Sequence, residues 1–240
     1  MKRAIIKATI LLSLLAATGC SEQPQSISEQ IQSAEKAKKM TLLIVGDEQN
    51  PADSIAMIVK SAPLESVAIV EMCASENAEL MAKYELEEIP LPLILILSDR
   101  GLVMGGLLKE DISAESLAES IPTIGFCDIA YNLEHGKAAI VVVSQRSFSR
   151  DKEAKKICQA AISKLGERAS IVEVDASNNS EGVLFTMLGI SHPITDSYVA
   201  VINSQGYITA SYASSLPIEQ ELIMACQQPH VHDASCGHAH

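Results

Sequence analysis

Two stretches of this 240-residue sequence match each other closely: "IVEMCASEN" begins at Ile69 and "IVEVDASNN" begins at Ile171. Around each stretch the same order of patterns recurs, which indicates a duplicated structural unit. An apolar run precedes each stretch, "TLLIVG" from Thr41 and "AAIVVVS" from Ala138. Continuous apolar runs of this length are typical of strands that are buried on both faces.

Helix and hairpin patterns complete each copy. "PADSIAMIVKSA" in the first copy and "SRDKEAKKICQAAISKLG" in the second predict the helix after the first strand. A short helix follows each "IVE" strand, and a glycine turn then joins two further strands into a hairpin. A last helix closes each copy. We predict the order βαβαββα twice, in domains at residues 41–121 and 138–225, with an inter-domain linker at residues 122–137.

This order, with these residues, resembles the thioredoxin fold in tandem, which implies an α/β architecture of three layers (α/β/α). "IVEVDASNN" is similar to the thioredoxin segment whose strand ends on an aspartate. "IPLPLILILSDRG" resembles the segment that carries a cis-proline beside the active site, and Pro92, nine residues before Gly101, suits that position. In the second copy Ser197 has the same spacing from Gly206, and Pro193 lies too early. The rival fold is a response-regulator receiver domain, which "LLIVGDEQ" resembles faintly.

The corners where each first strand meets its helix lack the chemistry of an active thioredoxin. That chemistry needs Cys-x-x-Cys at this corner, because a helix N-terminus lowers the pKa of the thiol. Here the corners read "VGDEQNPAD" and "VSQRSFSRD", without cysteine. In the first corner Asp47 and Glu48 add negative charge where a thiolate needs positive surroundings. We therefore expect no disulfide exchange and no catalytic residue at either corner.

The N-terminus is typical of a bacterial lipoprotein signal peptide. Lys2, Arg3 and Lys7 precede the apolar run "ATILLSLLAA", which is shorter than the about 20 residues of a membrane span. The following "AATGC" resembles a lipobox, which implies cleavage before Cys20 and lipidation of that residue. Ala17 stands where leucine is usual, so an ordinary secretory signal is the alternative. Both interpretations export the protein.

Cleavage would remove residues 1–19 and leave residues 20–40 as a polar, flexible, lipid-anchored tether. Ser21 is compatible with an outer-membrane address facing the periplasm, and the cell surface is the other location in the cell envelope. The mature chain would hold 15 basic and 30 acidic residues, a net charge of −15. Such a chain is a poor nucleic-acid binder. We expect its partners to be the membrane, through the lipid anchor, and another protein.

Five cysteines remain besides Cys20, and an odd number cannot pair completely within one chain. Cys73 replaces the strand-end aspartate that the second copy has as Asp175, and we interpret it as a small core residue. Cys127 in the linker and Cys158 in the first helix of the second copy could form a disulfide in an oxidising compartment. Free thiols at both positions would contradict that pairing.

The chain ends in "CQQPHVHDASCGHAH", residues 226–240, in which Pro229 and Gly237 interrupt any helix. Imidazole and thiolate are the ligands that Zn(II) and copper prefer. The composition predicts a flexible tail that binds zinc or copper through Cys226, His230, His232, Asp233, Cys236, His238 and His240. The alternatives are an inert tail and a tail closed by a Cys226–Cys236 disulfide.

Together these patterns predict a membrane-tethered binding module with two redox-inactive thioredoxin-like domains and a metal-binding tail. The alternative is an extracytoplasmic thiol–disulfide oxidoreductase, or a copper or zinc delivery protein, that uses Cys226 and Cys236. A structural envelope lipoprotein with an inert tail is the third interpretation.

Overall fold

A computed structural model of the chain describes residues 25–48, 52–62, 64, 67–191, 193–213 and 215–229, without the side chains of residues 54 and 61. None of the helices in these ranges combines the length and the apolar character that a bilayer crossing requires. Cys20 and the tail from His230 onward lie outside these ranges. Their lipidation and metal binding therefore stay predictions.

The described chain forms two domains with the same order of elements. The first contains α1 (Ile27–Lys36), β1 (Met40–Gly46), α2 (Asp53–Ser61), β2 (Val67–Cys73), α3 (Ala78–Lys83), β3 (Leu93–Leu97), β4 (Val103–Leu108) and α4 (Ala114–Ser120). The second contains α5 (Ile124–Glu134), β5 (Ala138–Ser144), α6 (Asp151–Leu165), β6 (Ala169–Asp175), α7 (Gly182–Met187), β7 (Tyr198–Ile202), β8 (Ile208–Tyr212) and α8 (Glu219–Gln227). The predicted order βαβαββα is present in both, and one further helix precedes it each time.

Both sheets have the same strand order, β2–β1–β3–β4 and β6–β5–β7–β8. The first pair of each sheet is parallel and the other two pairs are antiparallel. A parallel pair needs a crossover, which α2 and α6 provide, whereas an antiparallel pair can be joined by a hairpin. This is the strand arrangement of the thioredoxin fold, so the prediction of two tandem thioredoxin-like domains is confirmed.

The core of each domain consists of two apolar layers, one on each face of the sheet. In the second domain, alternate residues of β5 point to opposite faces, because successive side chains of a strand alternate. Ala138, Ile140 and Val142 pack with α6 and α8. The intervening residues of the strand pack with α5 and α7 on the other face. This explains why the central strands read as continuous apolar runs.

Part of the predicted tether is helical. Ser26 caps the N-terminus of helix α1. Its hydroxyl accepts a hydrogen bond from the backbone N–H of Glu29, and the Glu29 carboxylate accepts one from the backbone N–H of Ser26. The helix buries Ile31 and Ala34 in the core of the first domain. The prediction of a flexible tether over residues 20–40 is therefore wrong for Ile27–Lys36, which form a helix packed on the first domain. Two small contacts on one helical face are enough to dock a helix that is otherwise polar.

The predicted linker is also folded, because most of it is α5. The Thr123 hydroxyl caps this helix by accepting a hydrogen bond from the backbone of Phe126. The helix buries Cys127 and Ile129 and contacts β5 and β6. The prediction of an inter-domain linker at residues 122–137 is therefore wrong for Ile124–Glu134. The second domain begins with α5, as the first begins with α1.

Cys127 and Cys158 do not form the predicted disulfide. Both are free thiols. Cys127 lies on α5 and Cys158 on α6, and these helices cover opposite faces of the second sheet. A disulfide requires Cα atoms within about 7 Å of each other. The sheet between the two helices does not allow such an approach.

Candidate functional site

Each domain brings four equivalent residues to one corner of its sheet. They are the last residues of the first two strands, the first residue of the next helix, and the residue before the third strand. In corner 1 these are Gly46, Cys73, Asp53 and Pro92; in corner 2 they are Ser144, Asp175, Asp151 and Ser197. The Leu91–Pro92 peptide bond is cis, at the position where the sequence predicts a cis-proline.

Corner 2 is closed by hydrogen bonds between buried polar side chains. The hydroxyl of Ser144 donates to Oδ1 of Asp151 over 2.8 Å and lies 2.8 Å from the hydroxyl oxygen of Ser197. All three residues are buried. Buried polar groups need such partners, because an unmade hydrogen bond costs about 1–3 kcal/mol. The network joins β5, α6 and the segment before β7 where an active thioredoxin carries its cysteines.

Lys155 extends this network to β6. Its Nζ atom lies 3.1 Å from Oδ1 of Asp151 and 3.1 Å from Oε2 of Glu173. These carboxylates, Glu173 first, raise the pKa of Lys155 above its usual value. The hydrogen bond from Ser144, together with Lys155, holds the pKa of Asp151 below its usual value. In corner 2 the ammonium group of Lys155 therefore neutralises the carboxylate of Asp151.

Sequence reasoning missed this network. Ser144 ends an otherwise apolar buried strand, and Ser197 has the spacing of the cis-proline. A buried hydroxyl at each place needs a hydrogen-bond partner. That requirement could have predicted the contact between Ser144 and Ser197 from the sequence.

Corner 1 keeps the carboxylates but lacks a lysine at the position of Lys155. Asp53 follows the end of its strand by seven residues, as Asp151 does. Glu71 pairs with the third-last residue of β1, as Glu173 pairs with the third-last residue of β5. Met57 takes the place of Lys155 and is 77% exposed.

A cleft opens at corner 1. Four of the residues that line it are acidic. The lining consists of Gly46, Asp47, Glu48, Ala52, Asp53, Glu71, Met72 and Cys73. Lys60 binds Glu71 from one side, with its Nζ 3.1 Å from Oε1. The lining of the equivalent cleft at corner 2 has two acidic and two basic residues. It consists of Val142, Ser144, Gln145, Arg146, Lys155, Glu173, Val174 and Asp175.

Cys73 lies in the cleft of corner 1 as a single thiol. It faces Gly46 across the parallel ladder, and its sulfur lies 3.3 Å from the hydroxyl of Ser75. It is half-buried, whereas the sequence suggested a core residue. Among the residues that line the described part of the cleft there is no second cysteine with which it could exchange a disulfide.

Cys226, the first of the predicted metal ligands, belongs to the core of the second domain. It packs with Leu222 and Ala225 of α8 against α6 and is 8% exposed. Burial raises the pKa of its thiol to about 11. Because the thiolate is the form that binds metals and attacks disulfides, Cys226 is poorly suited to either role. Over the ranges that the structure describes, no three Cys, His, Asp or Glu side chains are arranged to hold a metal ion.

Comparison with known proteins finds only distant similarity to solved structures. No protein-family model and no curated protein matches the chain. Among solved structures, the first two thioredoxin domains of Saccharomyces cerevisiae Eps1p share 12% identity with a TM-score of 0.31, over 87% of this chain and 98% of that one. Zinc-bound human ERp44 shares 11% identity with a TM-score of 0.36, over 85% and 56%. DsbH oxidoreductase shares 13% with a TM-score of 0.30, over 47% and 91%.

These scores are too low to carry any argument, and the fold assignment rests on the strand order. The chain has the fold of two tandem thioredoxin-like domains, without the cysteine pair of an active thioredoxin at either corner.

Proposed function

We propose that this protein is a lipoprotein of the bacterial cell envelope whose two thioredoxin-like domains bind another protein and do not exchange disulfides. Cys20 carries the lipid in this proposal. The observation that supports the absence of disulfide exchange is the state of corner 2. The buried hydroxyl of Ser144 bonds to Asp151 and to the buried hydroxyl of Ser197, so neither hydroxyl is available as a nucleophile.

Exposed apolar side chains on α5 and α7 support a docking role. Ile124, Val183 and Met187 are all exposed. Val183 and Met187 are one helical turn apart, and the backbone of Gly125, next to Ile124, closely approaches the side chain of Leu184. Both helices cover the same face of the second sheet. Contiguous apolar patches on a surface mark interaction sites.

The contact between the domains supports their acting as one unit. The guanidinium of Arg100, in the β3–β4 turn, donates to Oδ1 of Asp128 on α5 over 2.5 Å. It also lies 4.4 Å from the ring centroid of Tyr131. A charge-assisted hydrogen bond and a cation–π contact on one side chain fix the orientation of the turn on the helix.

The proposal includes zinc or copper binding by the tail, with His230, His232, Asp233, Cys236, His238 and His240 as ligands. Cys226 is left out of this set, because binding would require it to leave the core.

The test uses the mature chain with Cys20→Ala and a photo-crosslinking residue at position 183. We expect a defined protein adduct in envelope extracts, lost in Ile124→Glu and retained in Ile208→Glu, a matched change of an exposed apolar residue on β8. We also expect no turnover in an insulin-reduction assay. Turnover that disappears in Cys226→Ser or Cys236→Ser would establish the oxidoreductase alternative instead.

A further inference from the structure

Two free thiols of the second domain lie in the same layer of its core. Cys158 is on α6 and Cys226 is on α8, and both belong to the apolar cluster on one face of the second sheet. Cys158 is fully buried and Cys226 is 8% exposed. Cys127 lies on the opposite face of this sheet, and Cys73 belongs to the first domain. Among the described cysteines, only Cys158 and Cys226 therefore share a layer.

The buried faces of α6 and α8 carry small side chains next to both thiols. These are Ala154 and Ala161, one turn before and one turn after Cys158, and Ala225, next to Cys226. Helices that pack on each other have axes about 8–10 Å apart, and small side chains favour the shorter spacing. Since each Cα atom lies about 2.3 Å from its helix axis, facing Cα atoms are then about 3–6 Å apart.

This spacing meets the requirement of a disulfide. Cα atoms of α6 and α8 lie within 8 Å of each other at several places along the two helices. A disulfide needs Cα atoms within about 7 Å of each other. The packing of α6 on α8 therefore permits a bond that the sheet prevents between Cys127 and Cys158.

The ionisation of Cys158 depends on Cys226. Burial, the largest cause, raises the pKa of the Cys158 thiol to about 12, and the charge of Cys226 raises it further. Because such an effect decreases with distance, it indicates that the two sulfur atoms are near each other. Burial also raises the pKa of Cys226 to about 11. Since the thiolate is the reactive form, both cysteines react slowly once the domain has folded.

We propose that Cys158 and Cys226 form a disulfide between α6 and α8 while the chain folds in an oxidising compartment. This inference rests on the proposed function, which places the chain in the cell envelope, where disulfides form and persist. The structure describes the dithiol form. In the disulfide form α8 is held on α6, and Cys226 is unavailable both to a metal ion and to disulfide exchange.

The oxidant is itself a disulfide, that of an envelope protein in the cell and that of oxidised glutathione in the test tube. The thiolate of one cysteine attacks a sulfur atom of the oxidant, breaks its S–S bond and releases one thiolate. The thiolate of the other cysteine attacks the resulting mixed disulfide, forms the Cys158–Cys226 bond and releases the second thiolate. The two cysteine protons pass to these two thiolates, so one disulfide is reduced as one is formed.

The test refolds the mature chain with Cys20→Ala from urea in a buffer of reduced and oxidised glutathione. The five remaining cysteines allow ten pairings, which makes the expected pair a specific result. Free thiols are alkylated, and the chain is cleaved after lysine and arginine and before aspartate. Cleavage before Asp233 separates Cys226 from Cys236. Mass spectrometry without reduction then identifies the linked peptides.

We expect the peptides of Cys158 and Cys226 to be linked in most molecules. Cys127→Ala should keep the linkage, and Cys158→Ala, a matched change of a buried thiol, should abolish it. Oxidation should raise the melting temperature by at least about 5 °C in Cys127→Ala and not in Cys158→Ala, because a disulfide restricts the unfolded chain. Free thiols at both positions in the refolded wild type, or a predominant Cys226–Cys236 linkage, would overturn the proposal.

Thiol trapping in cells separates this inference from the proposed function. Cells are quenched with acid, their thiols are alkylated, and the same peptides are analysed. Linkage both in the refolded chain and in the cellular protein supports the pairing and the export. Linkage in the refolded chain with free thiols in the cellular protein leaves the pairing intact and contradicts the oxidising compartment. Free thiols in the refolded chain overturn the pairing, and the photo-crosslinking experiment still decides the binding function.

Discussion

The hydroxyl oxygens of Ser144 and Ser197 lie 2.8 Å apart, although 53 residues separate them in the chain. Their equivalents in the first domain are Gly46 and Pro92, which cannot make such a bond through their side chains. The two copies have thus replaced the same thioredoxin corner in different ways. The second closes it with internal polar contacts, and the first leaves an acidic cleft.

Ser144→Ala should destabilise the protein by about 1–3 kcal/mol, because it removes the hydrogen bond to Asp151 and leaves the buried hydroxyl of Ser197 without this partner. Urea unfolding measures the change. Ser163→Ala is the control, since this exposed hydroxyl on α6 bonds to the carbonyl of Gln159. We expect less than about 0.5 kcal/mol there. Equal effects of the two substitutions would show that the network does not stabilise the corner.

Asp151 should make stability depend on pH in the acid range. Its pKa in the folded state is below the ordinary 3.8, so the unfolded chain binds a proton more readily than the folded one. The contribution is present above pH 3.8 and is lost as the pH falls below that value. The difference in unfolding free energy between wild type and Asp151→Asn should therefore shrink between about pH 5 and pH 2. A constant difference would contradict the folded-state shift.

Glu181 should connect α5 to α7. Its buried Oε1 accepts a hydrogen bond from the backbone of Gly125 over 3.0 Å, while Oε2 is the one buried side-chain oxygen in the described residues without a partner. Glu181→Ala should cost about 1–3 kcal/mol by removing the acceptor at the helix N-terminus. Glu181→Gln should cost less, because it keeps the acceptor and buries no charge. Thermal unfolding of both variants, compared with Glu167→Gln, tests this order.

Cys20→Ser should abolish acylation. Cells fed with labelled palmitate should incorporate the label into wild type and not into the variant, because acylation requires the thiol at that position. The variant should also move from the membrane fraction to the soluble fraction. A wild-type protein that is exported but unlabelled would establish the ordinary secretory signal.

Metal binding should depend on the tail histidines and not on Cys226. Zinc titration of the mature chain with Cys20→Ala is expected to show that the double variant His230→Ala/His232→Ala loses at least about tenfold in affinity. Cys226→Ser should change the affinity less than about twofold, because this thiol is buried and its pKa is about 11. A large loss in Cys226→Ser would mean that α8 releases its last turn to bind metal.

The sequence by itself determined the duplicated fold and the missing redox pair. The apolar runs of β1 and β5 predict these strands, because strands that are buried on both faces carry unbroken apolar sequences. Residue type decided the chemistry, because no arrangement can supply cysteines that the corners lack. These inferences depend on local patterns, and local patterns can be read without a structure.

Only the tertiary structure decided where the domains begin and what the corners became. The sequence predicts a tether and a linker where α1 and α5 lie, because each helix docks through few apolar residues whose burial depends on a distant sheet. The spacing of Cys127 and Cys158 permits a disulfide, but the second sheet lies between the helices that carry them. The contacts of Ser144 with Ser197, and of Lys155 with Glu173, join residues far apart in sequence. Such pairings arise from the crossing of strands and helices, which periodicity does not encode.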